Sequence, residues 1–256
     1  MKNSDDIAAT TVENLIRELG DAHKTIQRQA IDELVAIAGS GNPIVTEKLR
    51  ESMASADRHV RWAAAYALGQ IGSTAFAMDS ADVLCEAMAD DDGDIRWAAT
   101  NLMVRLGREN LVEIGERLLK LAGNGNRNAR KMALYCIRDL EMVGAELLAV
   151  VERAVHAPDV HVRLAALSVL SRTRDASGES VRIILECLKS DSDAGVRRAA
   201  ASALGNIRTA SADATAALES AAADLDDESL ARAARGSLDR LEKRDESIKA
   251  GARPGK

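Results

Sequence analysis

The sequence predicts an all-α protein made of seven tandem helical hairpins, and three observations predict it. The 256 residues are 46% apolar yet hold only five aromatic rings, two Trp, two Tyr and one Phe, too few for the core of a β-sandwich or barrel. The three prolines, Pro43, Pro158 and Pro254, each fall at an expected turn or in the tail, which leaves long stretches open to helix. The strongest observation is a phrase that recurs about every 34 residues along almost the whole chain, the signature of a repeat architecture.

The phrase is clearest at residues 60–72 and again at 196–207, and seven copies align on one opening aliphatic position: Ile26, Val60, Ile95, Ala129, Val162, Val196 and Leu230. Counting from that position, +4 is alanine in every copy, from Ala30 to Ala234, and +8 is always Leu, Met or Ile. Positions 0, +4, +8 and +11 form one helical stripe. A second amphipathic stretch precedes each phrase, as at residues 45–53, 81–88, 111–121, 147–155 and 181–188. Each repeat therefore reads as a helix A, a turn and a helix B.

The turn carries its own chemistry. Asp57, Asp92, Asp159, Asp193 and Asp227 stand three residues before position 0, with Asn126 in the fourth copy, where a side-chain oxygen can accept hydrogen bonds from the first free amides of helix B. Arginine occupies +1 in the five central copies (Arg61, Arg96, Arg130, Arg163 and Arg197). Four residues separate it from the capping position, so the two are expected to meet on the helix surface.

Taken together, Asp-x-x-Val-Arg-x-Ala-Ala-x-x-x-Leu-Gly resembles the HEAT-repeat family, in particular the short HEAT-like repeats also called bilin-lyase-type repeats. The resemblance covers roughly residues 11–242, with repeats at about 11–40, 42–73, 78–108, 110–142, 145–174, 178–208 and 212–242. It implies an α-solenoid, a right-handed superhelix with A helices on the convex side and B helices lining a concave groove. The motif frays at both ends, with His23 and Gln27 in the first copy and Ala231 in the last, as the capping of a stack requires. Residues 1–10 and 243–256 lose the stripe and are expected to be flexible.

Positions +2, +6, +9 and +10 point away from the apolar stripe of helix B and are expected to form the groove surface. Every Trp and Tyr falls there: Trp62 and Trp97 at +2, Tyr66 and Tyr135 at +6. The same four positions carry Arg28, Arg105, Lys131, Arg138, Arg172, Arg198, Arg232 and Arg240 against Asp32, Asp139 and Asp239, a net +5 in a chain of net charge -6. Trp62, Tyr66, Trp97, Asn101, Arg105, Lys131, Tyr135 and Arg138, in the groove of repeats two to four, are thus the candidate contacts of a non-enzymatic scaffold to a partner protein, through an acidic, extended or helical segment. The alternative is that the rings pack neighbouring hairpins and the arginines are solvated helix formers.

Other chemistries find little support. The run Asp90 to Asp94 lacks the glycine and glutamate spacing of a calcium loop, and the odd, dispersed cysteines Cys85, Cys136 and Cys187 argue against disulfides or zinc. The His-Glu pairs of deoxyhypusine hydroxylase, a HEAT-like enzyme, are absent, so no catalytic residue, cofactor or metal is assigned. His59 and His161, just before position 0, are expected at the solvated rim of helix B. Resemblance to HEAT-like alkylpurine DNA glycosylases, with Trp62, Trp97 and Arg105 against a base and phosphates, stands as an alternative, and a bilin-lyase-like subunit as a remoter one. Nucleic acid is otherwise not expected as a partner of so acidic a chain. With no export signal or apolar span in the sequence, the expected location is the cytoplasm.

Overall fold

The computed structural model describes residues 4–72, 80–172, 178–207 and 211–251. Among them every regular element is a helix, and the order is α1 (Ser4–Glu18), α2 (Lys24–Gly39), α3 (Pro43–Ser52), α4 (Arg58–Ile71), α5 (Ala81–Ala87), α6 (Gly93–Glu109), α7 (Leu111–Asn124), α8 (Arg127–Asp139), α9 (Ala145–Val155), α10 (Val160–Leu170), α11 (Gly178–Ser190), α12 (Ala194–Leu204), α13 (Ala212–Ala222) and α14 (Glu228–Gly251). These fourteen pair into seven hairpins in the expected register. The helices reach further than the apolar stripe: α1 already begins at Ser4, and α14 continues past Leu241 to Gly251. Residues 252–256, the end of the expected tail, lie outside the described residues, as does Phe76.

The chain divides into two compact units, Met1–Arg117 and Leu118–Lys256. Within each, like packs on like. In the first unit α1 packs on α3, and the B helices α2, α4 and α6 pack in succession. In the second, α8, α10, α12 and α14 form one layer while α9, α11 and α13 form the other. The +4 alanines explain how the B helices approach: Ala30, Ala64, Ala99, Ala133, Ala166, Ala200 and Ala234 are all 0% exposed. A methyl group there lets neighbouring helix axes come close, where a larger side chain would hold them apart.

The capping expectation holds in the six later copies. Asp57 Oδ1 accepts from the amide of His59 at 2.8 Å, Asp92 from Asp94 at 2.9 Å, Asn126 from Ala129 at 2.9 Å, Asp159 from His161 at 2.9 Å, Asp193 from Val196 at 3.0 Å and Asp227 from Leu230 at 2.9 Å. In the first copy His23 takes the capping position with no side-chain cap bond. Pro43 opens α3 behind the cap Asn42, where its missing amide hydrogen costs nothing.

The expected pairing of the +1 arginine with its own cap is corrected. Arg163 Nη1 instead donates back to the carbonyls of Ala157 and Pro158 at 3.0 and 3.2 Å, while Nε and Nη2 grip Asp191 of the next repeat at 2.8 and 2.9 Å. Arg61 bonds the Ser55 and Ala56 carbonyls and reaches forward to Glu86, and Arg197 bonds the Asp191 and Ser192 carbonyls and reaches forward to Asp227. The reason is reach: a planar guanidinium satisfies orphan carbonyls of the A–B turn on one edge and a neighbouring repeat's carboxylate on the other. The cap carboxylate is already occupied by amides. In the first copy Gln27 makes the turn bond alone, to Leu19 O at 2.7 Å; in the last, where +1 is Ala231, Arg235 one turn later bonds Ala222 O at 3.1 Å.

Position +9 also differs from expectation. Gly69, Val104 and Gly205 are buried rather than facing the groove, because +9 of one B helix meets +7 of the next. A Cβ added to Gly69 would stand 3.0 Å from Leu102, and one added to Gly205 would stand 2.6 Å from the Cβ and Oγ of Ser237. The Leu-Gly pair that ends the phrase thus marks a helix crossing.

Burial pushes the thiols of Cys85 and Cys187 up to about 11, so both are protonated near neutral pH and poor nucleophiles. A chromogenic disulfide reagent is therefore expected to label these two cysteines slowly in the native protein and rapidly in denaturant. Native rates matching a free thiol would contradict this reading.

Candidate protein-binding site

In the first unit the turns after α1, α3 and α5 bring the N-termini of α2, α4 and α6 to one edge, and beside it lies an open cavity of about 720 Å3. Its apolar wall is Ile31, Trp62, Tyr66, Ile95 and Ala98. The rings of Trp62 and Tyr66 form its anchor, with centroids 4.8 Å apart and planes tilted by 57°, the offset arrangement that ring quadrupoles favour. Both rings are half-buried, and Tyr66 also packs on the core cluster containing Ala30, Leu34 and Leu68. The indole nitrogen of Trp62 is buried without an acceptor among the described residues.

The polar wall carries the carboxylates of Asp21, Asp32, Asp92 and Asp94 against the cations Lys24 and Arg28, with His59 and Gln27 between. Lys24 Nζ stands 2.6 Å from Asp92 Oδ2 and 3.3 Å from Asp94 Oδ2, linking the first repeat to the third, and Arg28 is 3.9 Å from Asp94. The hydrogen bond from Lys24 holds the Asp92 carboxyl below the usual carboxylate range, and bonds to Asp92 and then Asp94 hold the Lys24 ammonium above its own. Asp21 is likewise lowered, chiefly by the His23 amide.

The expected contacts are thereby sorted. Trp62 and Tyr66 come together in the cavity wall. Trp97, 50% exposed, follows Ile95 on α6 but is not part of the cavity lining; with the exposed Asn101 and Arg105 it forms a separate line along that helix. Lys131, Tyr135 and Arg138 lie half-buried on α8 of the second unit. There Arg138 folds over the Tyr135 ring, 4.9 Å from its centroid, and binds Asp139 bidentately at 2.8 and 3.0 Å. Asp139 is thus paired with Arg138, and Arg172 Nη1 stands 3.8 Å from its Oδ1.

The basic character expected of the four stripe positions does not extend to this cavity, whose charged lining is four carboxylates to two cations. Counting four stripe positions missed the helix N-termini, where the capping carboxylates gather at one edge because every B helix starts there. Lys24, His59, Asp92 and Asp94 line the cavity without belonging to those stripe positions. Their signal was present: they occupy positions -3 to -1 of successive copies, the same edge in each. His59, expected at a solvated rim, is exposed yet part of the lining.

Stacked hairpins with buried alanines, aspartate caps and arginine staples define a tandem helical-repeat protein of the solenoid class. Comparison with known families narrows this: the model of HEAT repeats matches residues 12–104 and 147–239, and the chain belongs to the HEAT-repeat family. Solved structures similar to it include the archaeal HEAT-like repeats protein of Thermococcus onnurineus (TM-score 0.55, 13% identity, 91% of this chain and 97% of that one). The Escherichia coli protein YibA is similar at TM-score 0.55 and 15% identity, over 94% of this chain and 98% of its own. An importin beta is similar at TM-score 0.59 and 15% identity over 95% of this chain, which spans 35% of it. No curated protein matches the sequence. Among the described residues no helix is long and apolar enough to cross a membrane.

Proposed function

We propose that the protein is a non-enzymatic interaction scaffold whose first unit grips a segment of another protein in the cavity beside Trp62 and Tyr66. HEAT-repeat solenoids often mediate protein interaction, and a location in the cytoplasm fits such a role. The observation that carries the reading is the cavity itself: an apolar wall anchored by a tilted Trp–Tyr pair, half-buried on one helix and rimmed by charge. Large rings held in fixed rotamers lose little entropy on binding and supply most of the affinity at protein interfaces.

The test separates binding from packing. Peptides selected on the full chain from a random display library are expected to lose about thirtyfold in affinity on Trp62→Ala, the effect of a hot-spot residue. Trp62→Phe keeps a ring in place and removes a buried donor that has no acceptor, so its fold is expected to survive even if that of Trp62→Ala does not. Selected peptides that bind Trp62→Phe and Tyr66→Phe unchanged, and are displaced only by changes outside the cavity, would refute the proposal.

A further inference from the structure

We infer that the occupant of this cavity is a basic segment, a lysine or arginine side chain whose aliphatic stem lies on Trp62 and Tyr66 while its charge meets Asp32, Asp92 and Asp94. This rests on the reading of the protein as a scaffold and assigns the chemistry of its partner.

Three observations converge. The first is charge: the first unit contains twelve Lys and Arg against twenty Asp and Glu, a net -8, whereas the second contains twenty-two against twenty, a net +2. The chain's negative balance therefore lies in the unit that holds the cavity, and such a field draws in cations and repels acidic segments. The second is the Lys24 ammonium, held between Asp92 and Asp94 at 2.6 and 3.3 Å. The cavity edge already accommodates the chemical group that the partner would bring, and Lys24, 56% exposed, can swing aside for it. The third is the aromatic wall. Ring faces attract an ammonium or guanidinium group and also cover its methylene stem, with Trp the strongest of the rings.

The cavity geometry also sets a sign that a merely acidic surface would not. Lys24 competes with an incoming cation for Asp92 and Asp94, so removing it is expected to strengthen basic binding. Asp32, exposed one turn beyond Arg28 on α2 and part of the same lining, adds a further carboxylate, so removing it weakens binding.

The experiment measures fluorescence anisotropy of the full chain with two labelled peptides of equal length. One alternates leucine and glycine with arginine, and in the other glutamate replaces each arginine. The arginine peptide is expected to bind at least about tenfold tighter. Asp32→Asn should weaken it about threefold, Lys24→Ala should tighten it, and Asp213→Asn on α13 should leave it unchanged. Equal or tighter binding of the glutamate peptide, still weakened by Trp62→Ala, would overturn the basic occupant while leaving the scaffold reading intact. Binding of neither peptide, or binding indifferent to both Trp62 and Asp32, would overturn both.

Discussion

Replacing Arg163 by alanine is expected to destabilise the protein by about 1.5–3 kcal/mol, the cost of removing a charged hydrogen-bond donor from a largely buried pair. The side chains of Arg163 and Asp191 are only 11% and 7% exposed, and the guanidinium also satisfies two turn carbonyls. The variant leaves a carboxylate and those carbonyls inside the protein with their main donor gone. Chemical denaturation of the full chain measures the loss, and the double variant Arg163→Met, Asp191→Asn should recover part of it, since no unpaired charge remains. Arg61→Ala should cost far less, because its partner Glu86 is 52% exposed and water screens the pair. Equal losses for the two arginines would show that burial does not decide the strength of these staples.

The same pair carries a pH dependence with a definite sign. Burial raises the Asp191 carboxyl, but the hydrogen bonds from Arg163 and the Asp193 amide and the charges of Arg163 and Arg197 outweigh it, so the group is held below its ordinary 3.8. A depressed folded-state value contributes stability that is complete above the unfolded value and is lost as pH falls through the folded one. Near neutral pH the contribution is whole; in acid below about pH 4 it declines. In Arg163→Ala the burial that raises the carboxyl loses its main opponent, so the stability gap between variant and parent should narrow in acid.

The second large effect is expected at Gly205. A Cβ there would stand 2.6 Å from Cβ and Oγ of Ser237 and 2.8 Å from its Cα, too close for a side-chain rotation to relieve, because Ser237 is 0% exposed on α14. Relief requires α12 and α14 to separate, and Gly205→Ala should destabilise by about 1–3 kcal/mol as overpacked cores do. Gly39→Ala is the opposite case: nothing lies within 4 Å of its added Cβ at the end of α2, and the change should stabilise by up to about 1 kcal/mol through helix propensity. A thermal melt of Gly205→Ala that is unchanged or raised would show that the helix crossing is looser than the geometry requires.

What the sequence determined by itself was the local and the periodic. The 3.6-residue stripe, the recurring alanine and the aspartate three residues before the opening aliphatic position specify the B helices, their buried face and their first turn, because those choices depend on neighbours within about one turn of the chain. The helical hairpins, their number and the HEAT-repeat family were legible from them. Only the tertiary structure decided where each polar group found its partner. Arg163 meets Asp191 28 residues away, Lys24 meets Asp94 70 residues away, and Gly205 meets Ser237 across a helix crossing. A periodic pattern fixes which face a residue occupies but not how closely the next repeat approaches it. For that reason the rings were found from the sequence while the sign of the charge around them was not: the stripe supplies Trp62 and Tyr66, whereas the carboxylates arrive from the starts of helices one repeat away.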